Sequence, residues 1–158
     1  MQLILPDPEA TWRFGARLGR LLGPGDVVAA VGDLGAGKTS LAQGLARGLG
    51  VPDTHYVNSP TFAILQIHPG RLPFYHVDLY RLGDADEALG LGLEEYVGGP
   101  GVAYIEWPSR LPELIPADAL CIRLGPEGEG RRAELRATGP RSAAVLAAFV
   151  GEREPPLV

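Results

Sequence analysis

The chain predicts one α/β domain with the three-layer P-loop NTPase fold, a mostly parallel central sheet flanked by helices, and three observations carry that expectation. An apolar run, "DVVAAVG", leads directly into the glycine loop "GDLGAGKTS" at residues 32–40, and the loop opens a helical stretch. Two later apolar runs, "FYHVD" and "VAYIE", each end on a carboxylate, as strands do when their C-terminal edge lines a site. A length of 158 residues with 46% hydrophobic content suits a single core of ordinary size, assigned to residues 1–152, with the charged, proline-rich residues 153–158 as a frayed tail.

Each element has its own signal. Asp7 followed by Pro8 matches an N-cap and first helical position, and Phe14, Leu18, Leu21 and Leu22 recur at helical spacing until Gly23, Pro24 and Gly25 end the pattern. The run before the glycine loop has turn residues on both sides, the mark of a strand buried on both faces. From Lys38 onward, Leu41, Leu45 and Leu49 share one helical face that runs out among Gly48 and Gly50. "TFAILQIH" and "LPFYHVDLYRL" are β-type runs joined across "PGR", which predicts a hairpin or neighbouring antiparallel strands. "DADEALGLGLEEYVGG" is helical in pieces, because Gly90 and Gly92 interrupt it, and "GVAYIEW" is a further buried strand. Strands near 119–124 and 132–137 and a helix over 141–150 complete the order, with no internal repeat or linker.

Composition excludes several classes of function. A net charge of −5 disfavours an extended grip on nucleic-acid phosphates, which needs clustered Lys and Arg. Arg131, Arg132 and Arg136 in "RRAELRATG" alternate with apolar residues and read as the solvated face of a strand. No run of about 18 apolar residues and no basic-then-apolar N-terminus occurs, so a cytoplasmic location is expected. The single cysteine, Cys121, reads as a buried structural thiol. Three scattered histidines and no cysteine pair argue against zinc.

Gly32, Gly37, Lys38 and Thr39 fill G-x-x-x-x-G-K-[ST], and each residue type has a task in holding a triphosphate. Glycines let successive amides point inward, the helix N-terminus adds partial positive charge, the lysine reaches the β- and γ-phosphates, and the threonine hydroxyl ligates Mg²⁺. With 22 Gly, one Lys and nine Ser plus Thr in the chain, a chance match somewhere has odds of roughly one in a thousand. Lys38 is also the only lysine beside 13 arginines, and a planar guanidinium does not replace an ammonium curled inside such a loop.

Candidate partners of the loop lie downstream. Asp78 could hold Mg²⁺ directly or through water, as a Walker B carboxylate does, and Glu106 could complete the metal shell or orient the attacking water. Thr61 in "NSPTF" is either a switch hydroxyl that senses the γ-phosphate or part of a strand-opening turn set by Pro60. His76, Asp78 and Tyr80 alternate onto one face. Trp107 packs against the nucleotide or is an ordinary core aromatic, and Arg81 is a candidate arginine finger. Because the only Asn, Asn58, precedes Ser59, the N-K-x-D guanine reader is absent and ATP is favoured over GTP. A small-molecule kinase, or a nucleotide-gated binding module without coupled hydrolysis, would use the same loop.

In order and spacing, "GDLGAGKTSLAQGLARGLG", "NSPTF", "HVDLYRL", "LGLEEY" and "IEWPSRL" closely resemble the bacterial TsaE (YjeE) family over nearly the whole chain. The resemblance implies a small cytosolic ATPase, weak alone, that serves threonylcarbamoyladenosine modification of tRNA through two synthase subunits of the TsaB and TsaD type. It implies that Asp33, Leu34, Gly35, Ala36, Gly37, Lys38, Thr39 and Ser40 hold ATP or ADP phosphates, with Thr39 and Glu106 at Mg²⁺, Asp78 needed for turnover and Thr61 in the switch. The segment near Thr11 would approach adenine. Service to tRNA through protein partners would also reconcile the acidic chain with tRNA chemistry. Ser40 stands where a second threonine is common in the family, and His68 where an aromatic often sits.

Overall fold

The computed structural model describes residues 1–152, so the predicted frayed tail lies outside the described residues. It begins with a short strand that periodicity did not signal, β1 (Gln2–Leu5). Helix α1 (Pro8–Leu21) opens as its sequence predicts: Asp7 is extended and its carboxylate accepts the Ala10 N–H at 2.7 Å, with Pro8 in the first turn. Strand β2 (Val27–Val31) and helix α2 (Lys38–Gly48) flank the glycine loop. There follow β3 (Leu65–His68), β4 (Phe74–Asp78), a short helix α3 (Ala85–Gly90), β5 (Val102–Glu106), β6 (Leu120–Glu127), β7 (Gly130–Ala137) and helix α4 (Pro140–Gly151).

The seven strands form one sheet in the order β1-β7-β6-β2-β5-β4-β3. Here the expectation of a mostly parallel sheet is corrected: β2 with β5, β2 with β6 and β4 with β5 are parallel, whereas β1–β7, β6–β7 and β3–β4 are antiparallel. The parallel part is the centre. Its margins are antiparallel because short connections join β3 to β4 and β6 to β7, and a tight turn cannot join parallel neighbours. Register sets Asp78 beside Glu106 and His76 beside Tyr104, so four polar side chains of β4 and β5 share one face.

That face carries α1, α2 and α4. Phe14, Leu18, Leu41, Leu45 and Phe149 pack there on Val28, Ala30, Tyr104 and Ile122, and burying each such large side chain contributes about 1.5–3 kcal/mol. On the other face Val27, Val77, Ala103 and Ile105 are covered by α3 and short turns through Leu93 and Leu111. Cys121, predicted buried, is only half-buried on β6.

The contact between α1 and α2 is backbone against backbone. Gly15 and Gly19 face Gly44 and Gly48, each pair spaced by four so that both members share a helix face. A methyl group on Gly44 would stand 2.2 Å from the Trp12 carbonyl oxygen, and one on Gly48 would stand 2.3 Å from that of Ala16. Small residues on both sides are what let two helix backbones approach so closely.

At the start of α4, Gly139 occupies the N-cap and has no side chain to cap with. The carboxylate of Asp118 does so from another loop, accepting from Arg141 N at 2.8 Å and Ser142 N at 3.0 Å, in space that a Cβ on Gly139 would fill. Hydrogen bonds from Ser142, then from Arg141, hold the Asp118 carboxyl below its usual pKa. Since the folded pKa is the lower, the stabilisation is present above about pH 3.9 and is lost as pH falls through the folded value. Thermal unfolding of Asp118→Ala against the unaltered chain is expected to show a lower midpoint at neutral pH and a gap that closes on acidification. A gap independent of pH would contradict it.

Candidate functional site

The loop after β2 is shaped by residues that no side chain could replace without strain. Gly35 and Gly37 take φ of 80° and 103°, in the left-handed region, and a Cβ on Gly32 would stand 2.9 Å from Leu124 O. Gly37 is the N-cap of α2 and supplies no side-chain cap, which leaves the first amides of the helix uncapped by any side chain. The Ala36 N–H closes a turn on Asp33 O at 3.0 Å. From the neighbouring strand β5, Tyr104 donates its hydroxyl to Lys38 O at 2.8 Å. Burial, reinforced by Glu106 and Asp78, raises the pKa of that hydroxyl well above its usual value, so it stays a donor.

Arg131, expected on a solvated face, instead braces the loop. Its Nη2 donates to Gly35 O at 2.8 Å and its Nε to Ala36 O at 3.2 Å. In a trans peptide the C=O and the following N–H point opposite ways, so pinning Ala36 O turns the Gly37 amide away from Arg131. Nothing in the local pattern of "RRAELRATG" reveals this role, because the contact joins positions 95 residues apart in the chain.

Lys38 is buried, with Nζ donating to Gly32 O and lying 3.8 Å from the centre of the Trp107 ring. Desolvation lowers its pKa below the usual lysine value, while Glu106, Asp78 and Asp33 counteract part of that shift. Trp107 is left-handed at φ 57° and also stacks on Tyr80, with ring centres 4.9 Å apart. The two acids differ in their surroundings. Asp78 Oδ2 accepts from Ser59 Oγ at 2.6 Å and Thr61 Oγ1 at 3.0 Å, and Oδ1 accepts from Tyr80 N at 2.9 Å, so both oxygens already have partners. Glu106 has one protein partner, His76, with Nε2 and Oε2 2.7 Å apart, and its Oε1 makes no hydrogen bond with the described residues.

A cavity of about 410 Å³ gathers most of the predicted residues: Leu34, Gly35, Gly37, Lys38, Thr39, Ser40, Thr61, Asp78, Glu106 and Trp107 all line it, together with Ser59 and Tyr80. Asp33 and Ala36 line an adjoining cavity of about 460 Å³ that reaches Leu124, Pro126 and Arg131. Two further residues lie outside this cavity. Thr11 is 1% exposed, with its methyl beneath Gly37. Arg81 lies over the exposed Phe62 ring at 4.1 Å and does not line the cavity. Ser59 and His76 went unassigned in the sequence, although "NSPTF" and the alternation in "HVD" contain them.

A family model described as "Threonylcarbamoyl adenosine biosynthesis protein TsaE" matches residues 5–134. The chain is 42% identical over 127 residues to the tRNA threonylcarbamoyladenosine biosynthesis protein TsaE of Bacillus subtilis, covering 80% of this chain and 78% of the relative. To the protein of the same name from Synechocystis it is 46% identical over 119 residues, covering 72% and 74%. The crystal structure of Bacillus subtilis YdiB superposes with a TM-score of 0.83 at 32% identity, covering 96% of this chain and 94% of that one. The loop, the acids and the matches agree across most of the sequence, and the chain belongs to the TsaE family of tRNA threonylcarbamoyladenosine biosynthesis proteins.

Proposed function

We propose that this chain binds ATP and ADP through its glycine loop and hydrolyses ATP with Mg²⁺, in the cytoplasm, as a subunit of the tRNA threonylcarbamoyladenosine machinery that acts through synthase partners of the TsaB and TsaD type. The observation that carries this reading is the convergence of Lys38, Thr39, Thr61, Asp78 and Glu106 on one cavity at the C-terminal ends of β2, β4 and β5.

The donor set suits magnesium: the Thr39 hydroxyl, the unbonded Oε1 of Glu106 and the Asp78 carboxylate are hard oxygens, and Mg²⁺ usually takes one or two carboxylates and completes its shell with water and phosphate. The bound ion would neutralise charge developing on the β- and γ-oxygens. The Lys38 ammonium leaves Gly32 O and the Trp107 ring for the phosphates, while the α2 amides grip them from below. Glu106 orients the attacking water or ligates the ion. Asp78, with both oxygens engaged, anchors Ser59 and Thr61 and would help hold the ion directly or through water. Among the described residues no arginine lines this cavity, which supports weak turnover by the isolated chain and a positive charge supplied by a partner.

The test is phosphate release with and without the two synthase subunits, for the unaltered chain and for Glu106→Ala. Stimulation by the partners and a fall of about 100-fold or more in the variant, with nucleotide still bound, are expected. Absence of both stimulation and loss would remove the hydrolytic reading. Repeated rounds of modification supported by a non-hydrolysable ATP analogue would point to gating in its place.

A further inference from the structure

His76 is buried on β4, with 0% exposure, and belongs neither to the loop nor to the segment at 59–61. Its ring lies between Phe74 and Tyr104, with centres 5.9 and 5.2 Å away, so packing fixes its plane. Only one of its two nitrogens has a partner: Nε2 is 2.7 Å from Glu106 Oε2, while Nδ1 is buried with none. That asymmetry identifies the tautomer. A carboxylate oxygen is acceptor-only when ionised, so the proton belongs on Nε2, and the orphan Nδ1 is then a bare lone pair and not a stranded N–H. Glu106 itself is 2% exposed, and a carboxylate so far from water needs a hydrogen-bond donor to offset its lost hydration.

We propose that His76 is a positioning residue for Glu106: its Nε2–H fixes Oε2, so that Oε1 alone is presented to the cavity. The proposal rests on the reading given under Proposed function, in which Glu106 serves the metal or the attacking water. Register supports it, because His76 and Glu106 project from the same face of adjacent parallel strands, each two residues from the partner of the other. Histidine suits this place better than a lysine or arginine would. It donates its hydrogen bond from a rigid ring fixed by packing, and a ligand held by such an outer partner typically loses about 10- to 100-fold in metal affinity or activity when the partner is removed.

Three forms of the full chain are compared: unaltered, His76→Phe and His76→Gln. Phenylalanine keeps an aromatic ring against Phe74 and Tyr104 but donates nothing. Glutamine carries its amide N–H near the place of Nε2. With Mg²⁺ and ATP, with and without the synthase partners, His76→Phe is expected to lower kcat about 10- to 100-fold with KM for ATP within about threefold, and His76→Gln to recover most of the loss. Independently, ¹⁵N NMR of labelled histidine in the unaltered chain, with the His76 signals assigned by their absence from the variants, is expected to show a protonated Nε2 and a bare Nδ1. A protonated Nδ1 with a bare Nε2, a kcat in His76→Phe equal to that of the unaltered chain, or equal defects in His76→Phe and His76→Gln would each overturn the proposal. The ring tautomer is read on the unaltered chain; the variants serve only its assignment, for which one of them must fold but neither need turn over. If the unaltered chain hydrolyses no ATP under any condition, the hydrolytic reading fails, and the tautomer alone then decides whether His76 holds Glu106.

Discussion

Lys38→Ala is expected to weaken ATP and ADP binding by about 100-fold or more in calorimetry with Mg²⁺. A hydrogen bond to a charged group contributes about 1.5–3 kcal/mol, and an ammonium that reaches two phosphates makes at least two, so about 3 kcal/mol or more is lost. No other side chain replaces it: Lys38 is the only lysine in the sequence, and among the described residues no arginine lines the cavity. Lys38→Arg is expected to fail as well, since the space between Gly32 O and the Trp107 ring is fitted to a compact point charge. The empty protein should not suffer. Burial already lowers the pKa of Lys38, so its charged form disfavours the folded state, and the alanine variant should melt at the same temperature or higher. The sign with pH follows: stability contributed by this group rises as pH climbs through the lowered folded value towards the unfolded one near 10.4, while nucleotide affinity falls over the same range as the ammonium deprotonates. An alanine variant that binds within threefold of the unaltered chain would refute the role of the loop.

Gly44→Val is expected to have the largest effect on folding. Even the first carbon would have to occupy a point 2.2 Å from Trp12 O and 3.0 Å from Gly15 Cα, and backbone atoms cannot yield as a flexible side chain can. Overpacking costs about 1–3 kcal/mol where neighbours adjust; here α1 must separate from α2, so a loss of 3 kcal/mol or more is expected, a large part of the stability of a domain this size. Urea unfolding should show a markedly lower midpoint or no folded baseline. Gly90→Ala is the matched control, because nothing lies within 4 Å of a Cβ there and its backbone does not require glycine, so it should be neutral or slightly stabilising. Equal effects at the two positions would contradict the packing account.

Much of this was legible in the chain itself, and for a physical reason. The glycine loop, its strand and its helix are consecutive, and Asp78 and Glu106 sit at the ends of apolar runs, so local pattern was enough to find them. What escaped depends on pairing across long separations. Arg131 reaches the loop only because β7 folds back beside β6, and His76 meets Glu106 only because β4 and β5 run parallel in one register. The β3–β4 hairpin was read from its short connection, whereas the antiparallel β1–β7 and β6–β7 margin follows from which strands neighbour one another, which composition does not encode. The place of Thr11 beneath Gly37 was not legible for a related reason, since it depends on how closely the glycines let α1 approach α2.

The glycine seam has a further consequence for which wall of the cavity is held rigidly. With backbone against backbone at Gly15, Gly19, Gly44 and Gly48, α2 has little room to shift against α1. The flank of Ser59 and Thr61 is held less broadly, tethered through one carboxylate and followed by Ile64, whose left-handed φ of 67° is strained for a β-branched residue. Any displacement within the cavity would therefore fall on that flank, beside Tyr56 and Phe62, which are 77% and 85% exposed.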